Sequence, residues 1–117
     1  MTQEYRYTDR DRRRQLRQLA ERLPALIGFR RTVPELRDRA PVYEAALAST
    51  LRLQQEGFTR EDLRALSDGV PDIFDRYREW EPPSIRLLDG KVVDVPWYAP
   101  LEAVLQPVLD VASWLRG

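Results

Sequence analysis

Residues 8–23 read TDRDRRRQLRQLAERL, and this stretch sets the fold class. Thr8 followed by Asp11 has the form of a capping box. In such a box a hydroxyl accepts an unpaired N–H of the first turn, and an acidic residue reaches back to the cap. Leu16, Leu19, Ala20 and Leu23 then recur at three- and four-residue spacing, the apolar stripe of a helix. The pattern predicts a helix from Asp9 to Leu23. Pro24 lacks an N–H and its ring crowds the preceding turn, so the helix is expected to break there. Ala25 to Phe29 would continue as a bent apolar turn.

Further along the chain, prolines and caps mark the other elements. Thr32, Pro34 and Glu35 signal a short second helix, because proline fits a first turn. Pro41 biases Ala40 away from helical angles and closes it. A third helix is expected from Pro41 to Gly57, a glycine suited to the left-handed position after a helix. Its residues Val42, Tyr43, Ala45, Ala46, Leu47, Leu51 and Leu53 cover more than half its circumference, which predicts the central helix of the domain. Thr59 with Asp62 repeats the capping box, Phe58 and Leu63 occupy the staple positions, and this fourth helix should end near Asp68-Gly69. Pro71 opens a fifth helix carrying Ile73, Phe74, Tyr77 and Trp80, stopped by Pro82-Pro83.

The period changes after that. Asp89-Gly90 lies between Ile85-Arg86-Leu87-Leu88 and Lys91-Val92-Val93-Asp94-Val95. This is a hairpin signal for residues 84–95, with a two-residue type I′ turn as the expected connection. An isolated hairpin is marginal, so it is expected to pack on the helices. A last helix starts near Pro100, with Leu101, Val104, Leu105, Val108, Ala112 and Leu115 at helical spacing. Pro107 should kink or split it. The expected architecture is one mainly α domain spanning residues 1–117. It is a single bundle of five or six helices with one β-hairpin before the C-terminal helix.

Composition narrows the function classes. The 117 residues carry 19 basic and 19 acidic side chains, and contain no His, no Cys and no Asn. Without His there is no imidazole base or His metal ligand. Without Cys there is no disulfide, thiolate nucleophile or Cys-held metal. No phosphate loop, dinucleotide fingerprint or nucleophile elbow is present. The reading is therefore a protein without catalysis, cofactor or metal. Apolar residues at 43% of the chain suffice for a core. No apolar run approaches the ~20 residues that span a bilayer. Met1 to Arg17 lacks the apolar stretch of a secretion signal. A cytoplasmic protein with no membrane contact is expected. All but one of the 19 basic residues are Arg, as a bacterial-type, GC-rich genome would produce, so Arg count alone does not indicate phosphate binding.

Charge is nonetheless segregated. Residues 1–39 hold 11 basic against 6 acidic residues, and residues 40–117 hold 8 against 13, giving +5 and −5. Arg10, Arg13, Arg14 and Arg17 form a stripe about 110–120° from the leucine stripe, at roughly 100° per residue. They are candidates for contacting an acidic partner, although a solvated helix face has the same pattern. Trp97, Tyr98 and Trp114 are candidate aromatic anchors. Trp97 sits between prolines, where plugging the edge of the core is the preferred reading. Trp114 falls to the side of the core positions of the last helix and is the better placed to meet a partner.

The function expected first is a small interaction module, of adaptor, inhibitor, immunity or assembly-chaperone type. It would bind another protein or a second copy of itself. The alternative is a nucleic-acid-binding regulator. In that reading residues 59–81 form a degenerate helix-turn-helix, with Ala65, Gly69 and Val70 at its turn and the hairpin as a wing. Electrostatics oppose this, because that segment holds four Arg against seven acidic residues and would offer Asp72 and Asp75 to DNA. Asp68, Asp72, Asp75 and Glu79 are spaced to hold a hard cation, but their spacing to Arg76 and Arg78 favours ion pairs.

Overall fold

The computed structural model describes residues 7–70 and 84–116. Within them the chain forms four α-helices and one two-stranded sheet, in the order α1 (Asp9–Thr32), a 3-10 turn (Pro34–Arg39), α2 (Ala40–Glu56), α3 (Arg60–Asp68), β1 (Ser84–Arg86), β2 (Val92–Asp94) and α4 (Tyr98–Arg116). The expected fifth helix at 71–80, with Trp80, lies outside the described residues.

The fold is mainly helical as expected, but among the described residues there are four helices rather than five or six. Of the expected helices, the second is a 3-10 turn and the fifth falls outside the described residues. Pro24 does not break the first helix, which runs on to Thr32. Its ring is exposed, so the lost backbone bond to Ala20 falls on the solvent side. Leu23, Leu26 and Ile27 remain in the core around it, and their burial outweighs the local cost. The expected short helix at Pro34 is a 3-10 turn pinned by buried Leu36. Ala40 adopts helical angles (φ −54°, ψ −41°) despite preceding Pro41, and begins α2.

Both capping boxes form. Thr8 N donates to Asp11 Oδ2 at 2.9 Å and Asp11 N to Thr8 Oγ1 at 3.1 Å. Thr59 and Asp62 repeat this at 2.8 and 3.1 Å. The bond from the Thr8 N–H, and then that with the Thr8 side chain, hold Asp11 below the usual carboxylate range. A depressed folded pKa stabilises the protein above the unfolded value, and that contribution is lost as pH falls through the lowered one. Asp11→Asn should therefore lower the urea midpoint at neutral pH and converge with wild type in acid. A difference that stays constant with pH would contradict this.

The centre of the domain is α1, not the helix of residues 41–57. α1 packs against α2 on one side and α4 on the other, while α3 closes against α4. Leu16, Leu19, Leu23, Leu26 and Ile27 of α1 meet Tyr43, Ala46 and Leu53 of α2 and Leu101, Leu105, Val108 and Leu115 of α4 in one core. α2 leaves Val42 and Leu51 at 39% and 48% exposure, so its broad apolar surface is only partly used. Gly57 ends it at φ +88°, the left-handed position that favours glycine. Pro107 lies within α4, which continues through it, and Arg22 Nη1 of α1 donates to the Pro107 carbonyl at 2.9 Å.

The hairpin pairs Ile85 with Val93 and Arg86 with Val92. Its loop is longer than expected. Leu87 N bonds Lys91 O, and Gly90 N bonds Leu87 O. The connection is thus the three residues Leu88-Asp89-Gly90, with Gly90 at φ +85°, rather than a two-residue I′ turn. Ile85 and Leu87 stay about 40% exposed and Leu88 is fully exposed, so the expected burial on the helices is incomplete.

Candidate interaction surface

The buried stripe of α1 begins and ends in arginine. Arg12 precedes Leu16, Leu19 and Leu23 at helical spacing, and Arg30 follows Leu26 and Ile27. Both are buried, at 8% and 0% exposure. Each guanidinium lies over a tyrosine ring, Arg12 on Tyr7 at 4.7 Å and Arg30 on Tyr43 at 4.6 Å, a cation–π geometry. Sequence reading passed over both. Their place on the leucine stripe was the available signal, since a charge there must find buried partners.

Arg30 finds few. Nη1 donates to the Leu36 carbonyl at 3.3 Å and Nη2 to Tyr43 Oη at 3.5 Å, while Nε is buried without a partner. Burial lowers its pKa, partly opposed by Tyr43. No carboxylate pairs with it among the described residues, and a buried cation so placed contributes little net stability. Arg30→Met, which keeps the length and apolar stem, should unfold in urea within about 1 kcal/mol of wild type or later. A loss well beyond that would mean the bonds to Leu36 and Tyr43 hold the turn between α1 and α2.

Arg12 ties the start of α1 to the end of α4. Its Nη1 donates to Gln15 Oε1 at 3.1 Å and to the Trp114 carbonyl at 2.7 Å. That second bond satisfies a helix C-terminus with a cation, the favourable sign for the helix dipole. Burial lowers the Arg12 pKa; Tyr7 opposes this, and nearby Arg60 adds to it. Arg116 and Asp68 form an ion pair that joins the same end of α4 to α3.

This antiparallel contact places the expected site residues. Arg14 and Trp114 come together across a cleft of about 270 Å³, with Tyr7, Asp11, Gln15 and Gln18 around it. Trp114 is 38% exposed. Arg13 and Arg17 line a neighbouring groove of about 520 Å³ against Leu53, Gly57 and Phe58. Arg13 is held by Asp9 at 2.9 Å. Arg10, Arg14 and Arg17 are exposed and make no ion pair among the described residues. Arg10 lines neither cleft.

Trp97 and Tyr98 do not join them. They stand at the opposite end of α4, about 24 Å away at 1.5 Å per residue. Tyr98 is buried and Trp97 packs half-buried against the core, as a core-edge plug would. Of the four acidic residues at cation spacing, Asp68 pairs with Arg116, and Asp72, Asp75 and Glu79 lie outside the described residues. No group of three acidic metal-type ligands occurs among the described residues. No helix among them is long and apolar enough to cross a membrane.

Comparison of the chain with protein-family models, with curated proteins and with solved structures finds no match.

Proposed function

We propose that this protein is a small non-catalytic interaction module of the cytoplasm, of adaptor, inhibitor, immunity or assembly-chaperone type. Its contact surface is the end of the bundle where α1 begins and α4 ends. The observation that carries the reading is Trp114, part-exposed on a cleft beside Arg14, an exposed cation without an ion-pair partner among the described residues. Tryptophan and arginine are the side chains that most often dominate binding energy, and they do so where packing can exclude water. The arginines of α1 steer an acidic partner, and Trp114 anchors it. The partner is another protein or a second copy of this chain. Affinity capture from native lysate, with sedimentation of the purified protein, tests this. One specific partner or a self-associated species supports it. A monomer that captures nothing specific would sink it.

Nucleic acid is the second reading, favoured by Arg10, Arg14 and Arg17 standing on one helix without ion pairs among the described residues. It draws less support from the helix pair. Gly69 sits at φ −79°, open to any residue, so the turn does not require its glycine. The candidate groove-reading helix lies outside the described residues. Phosphate binding requires a steep loss of affinity with salt and a large effect of Arg17→Ala. Gel shifts at low salt with duplex and single strands decide it.

A further inference from the structure

A third pocket, of about 320 Å³, opens between α1 and the start of α3. Tyr7, Phe58 and Leu63 give it apolar walls, and Arg12 and Arg60 give it two cations. Arg12 is fixed there by its Nη1 bonds to Gln15 and Trp114 and by the Tyr7 ring. Its Nε and Nη2 make no hydrogen bond among the described residues. These two nitrogens are the side-on pair of a guanidinium, whose parallel N–H groups match the two oxygens of a carboxylate.

The charges in the pocket point the same way. Arg60 stands close enough to repel Arg12. The carboxylate lining the pocket is Asp9, which Arg13 already holds at 2.9 Å. Among the described residues the lining carries two cations and one carboxylate that is already paired, which suits an anion. The apolar walls require the anion to carry an apolar group.

We infer that this pocket binds a carboxylate borne on an apolar group, gripped side-on by Arg12 Nε and Nη2 with Arg60 as the second cation. The carboxylate belongs either to a free small acid or to the C-terminus of a peptide, and the chemistry of the grip is the same. The pocket shares Tyr7 with the Trp114–Arg14 cleft, but Arg12 bonds the backbone carbonyl of Trp114 and not its side chain, so loss of the Trp114 side chain leaves the grip in place and either site can bind while the other fails.

The test is an NMR titration that follows the Arg12 Nε–H resonance in the full chain. The probes are 3-phenylpropionate, its alcohol analogue, inorganic phosphate, and a tetrapeptide ending in phenylalanine as the free acid and as the amide. A saturable shift is expected with the acids, at a Kd of about 1 mM or tighter, and with neither alcohol nor amide. Arg60→Ala should weaken the acid at least about tenfold without moving the unfolding midpoint, since one charge-assisted contact is lost. Tighter binding of the small acid or of the peptide identifies the source. No saturable shift with any acid overturns the inference. So does equal binding by the alcohol, tighter binding of phosphate, or undiminished binding in Arg60→Ala.

Discussion

Trp114→Ala should lower affinity for the partner by about 2–4 kcal/mol, roughly 30- to 1,000-fold. The same change should cost only about 1 kcal/mol of folding stability, because the side chain is 38% exposed. The bond that joins α1 to α4 at this point runs from Arg12 to the Trp114 backbone carbonyl, and alanine retains that carbonyl. Binding and folding are therefore separable at this residue. Trp97→Ala is the matched control. Trp97 packs against the core at the other end of α4, so its loss should weaken folding and leave partner affinity intact once the protein is folded. Titration of the captured partner into each variant, alongside urea unfolding, gives both numbers. Unchanged affinity in Trp114→Ala would remove Trp114 from the surface.

The largest effect on stability is expected at Leu23. This side chain is fully buried in the core that α1 shares with α2 and α4. Leu23→Ala removes buried surface and leaves a cavity, a loss of about 3–5 kcal/mol. A domain of this size has about 5–15 kcal/mol in all. The thermal midpoint should fall by about 10–20 °C. Pro24 sharpens the expectation. A proline inside α1 removes one backbone bond, so the helix depends on its buried stripe to continue through that position. A loss under about 1 kcal/mol would show that α1 is not the central helix.

Much of the fold was legible because the deciding signals are local. The capping boxes at Thr8 and Thr59, the left-handed end at Gly57 and the turn at Gly90 are each fixed by a few neighbouring residues. What failed depended on tertiary context. Pro24 reads as a break in sequence, but the apolar residues on either side of it pack on α2 and α4 and carry the helix through. The 41–57 helix has more apolar residues than it buries, since among the described residues no element covers Val42 and Leu51. The hairpin was found, but its loop length was misjudged by one residue, because Asp89-Gly90 serves a two-residue turn and a three-residue loop equally well.

The candidate site was half legible. The offset of Trp114 from the core positions and the stripe through Arg14 were readable from helical spacing. That the two meet was not, because it requires knowing that α1 and α4 run antiparallel. Arg12 was missed for the opposite reason. It lies on the apolar stripe among the leucines, and its role comes from a carbonyl 102 residues away in sequence.

The most direct test compares captured proteins from native lysate for the wild type and for a folded Arg14→Ala/Trp114→Ala double variant, quantified by mass spectrometry. The wild type should retain a specific partner, its own second copy included, in near-stoichiometric amount, and the double variant should lose it. Equal retention by both would contradict the assignment of this end of the bundle as the binding surface.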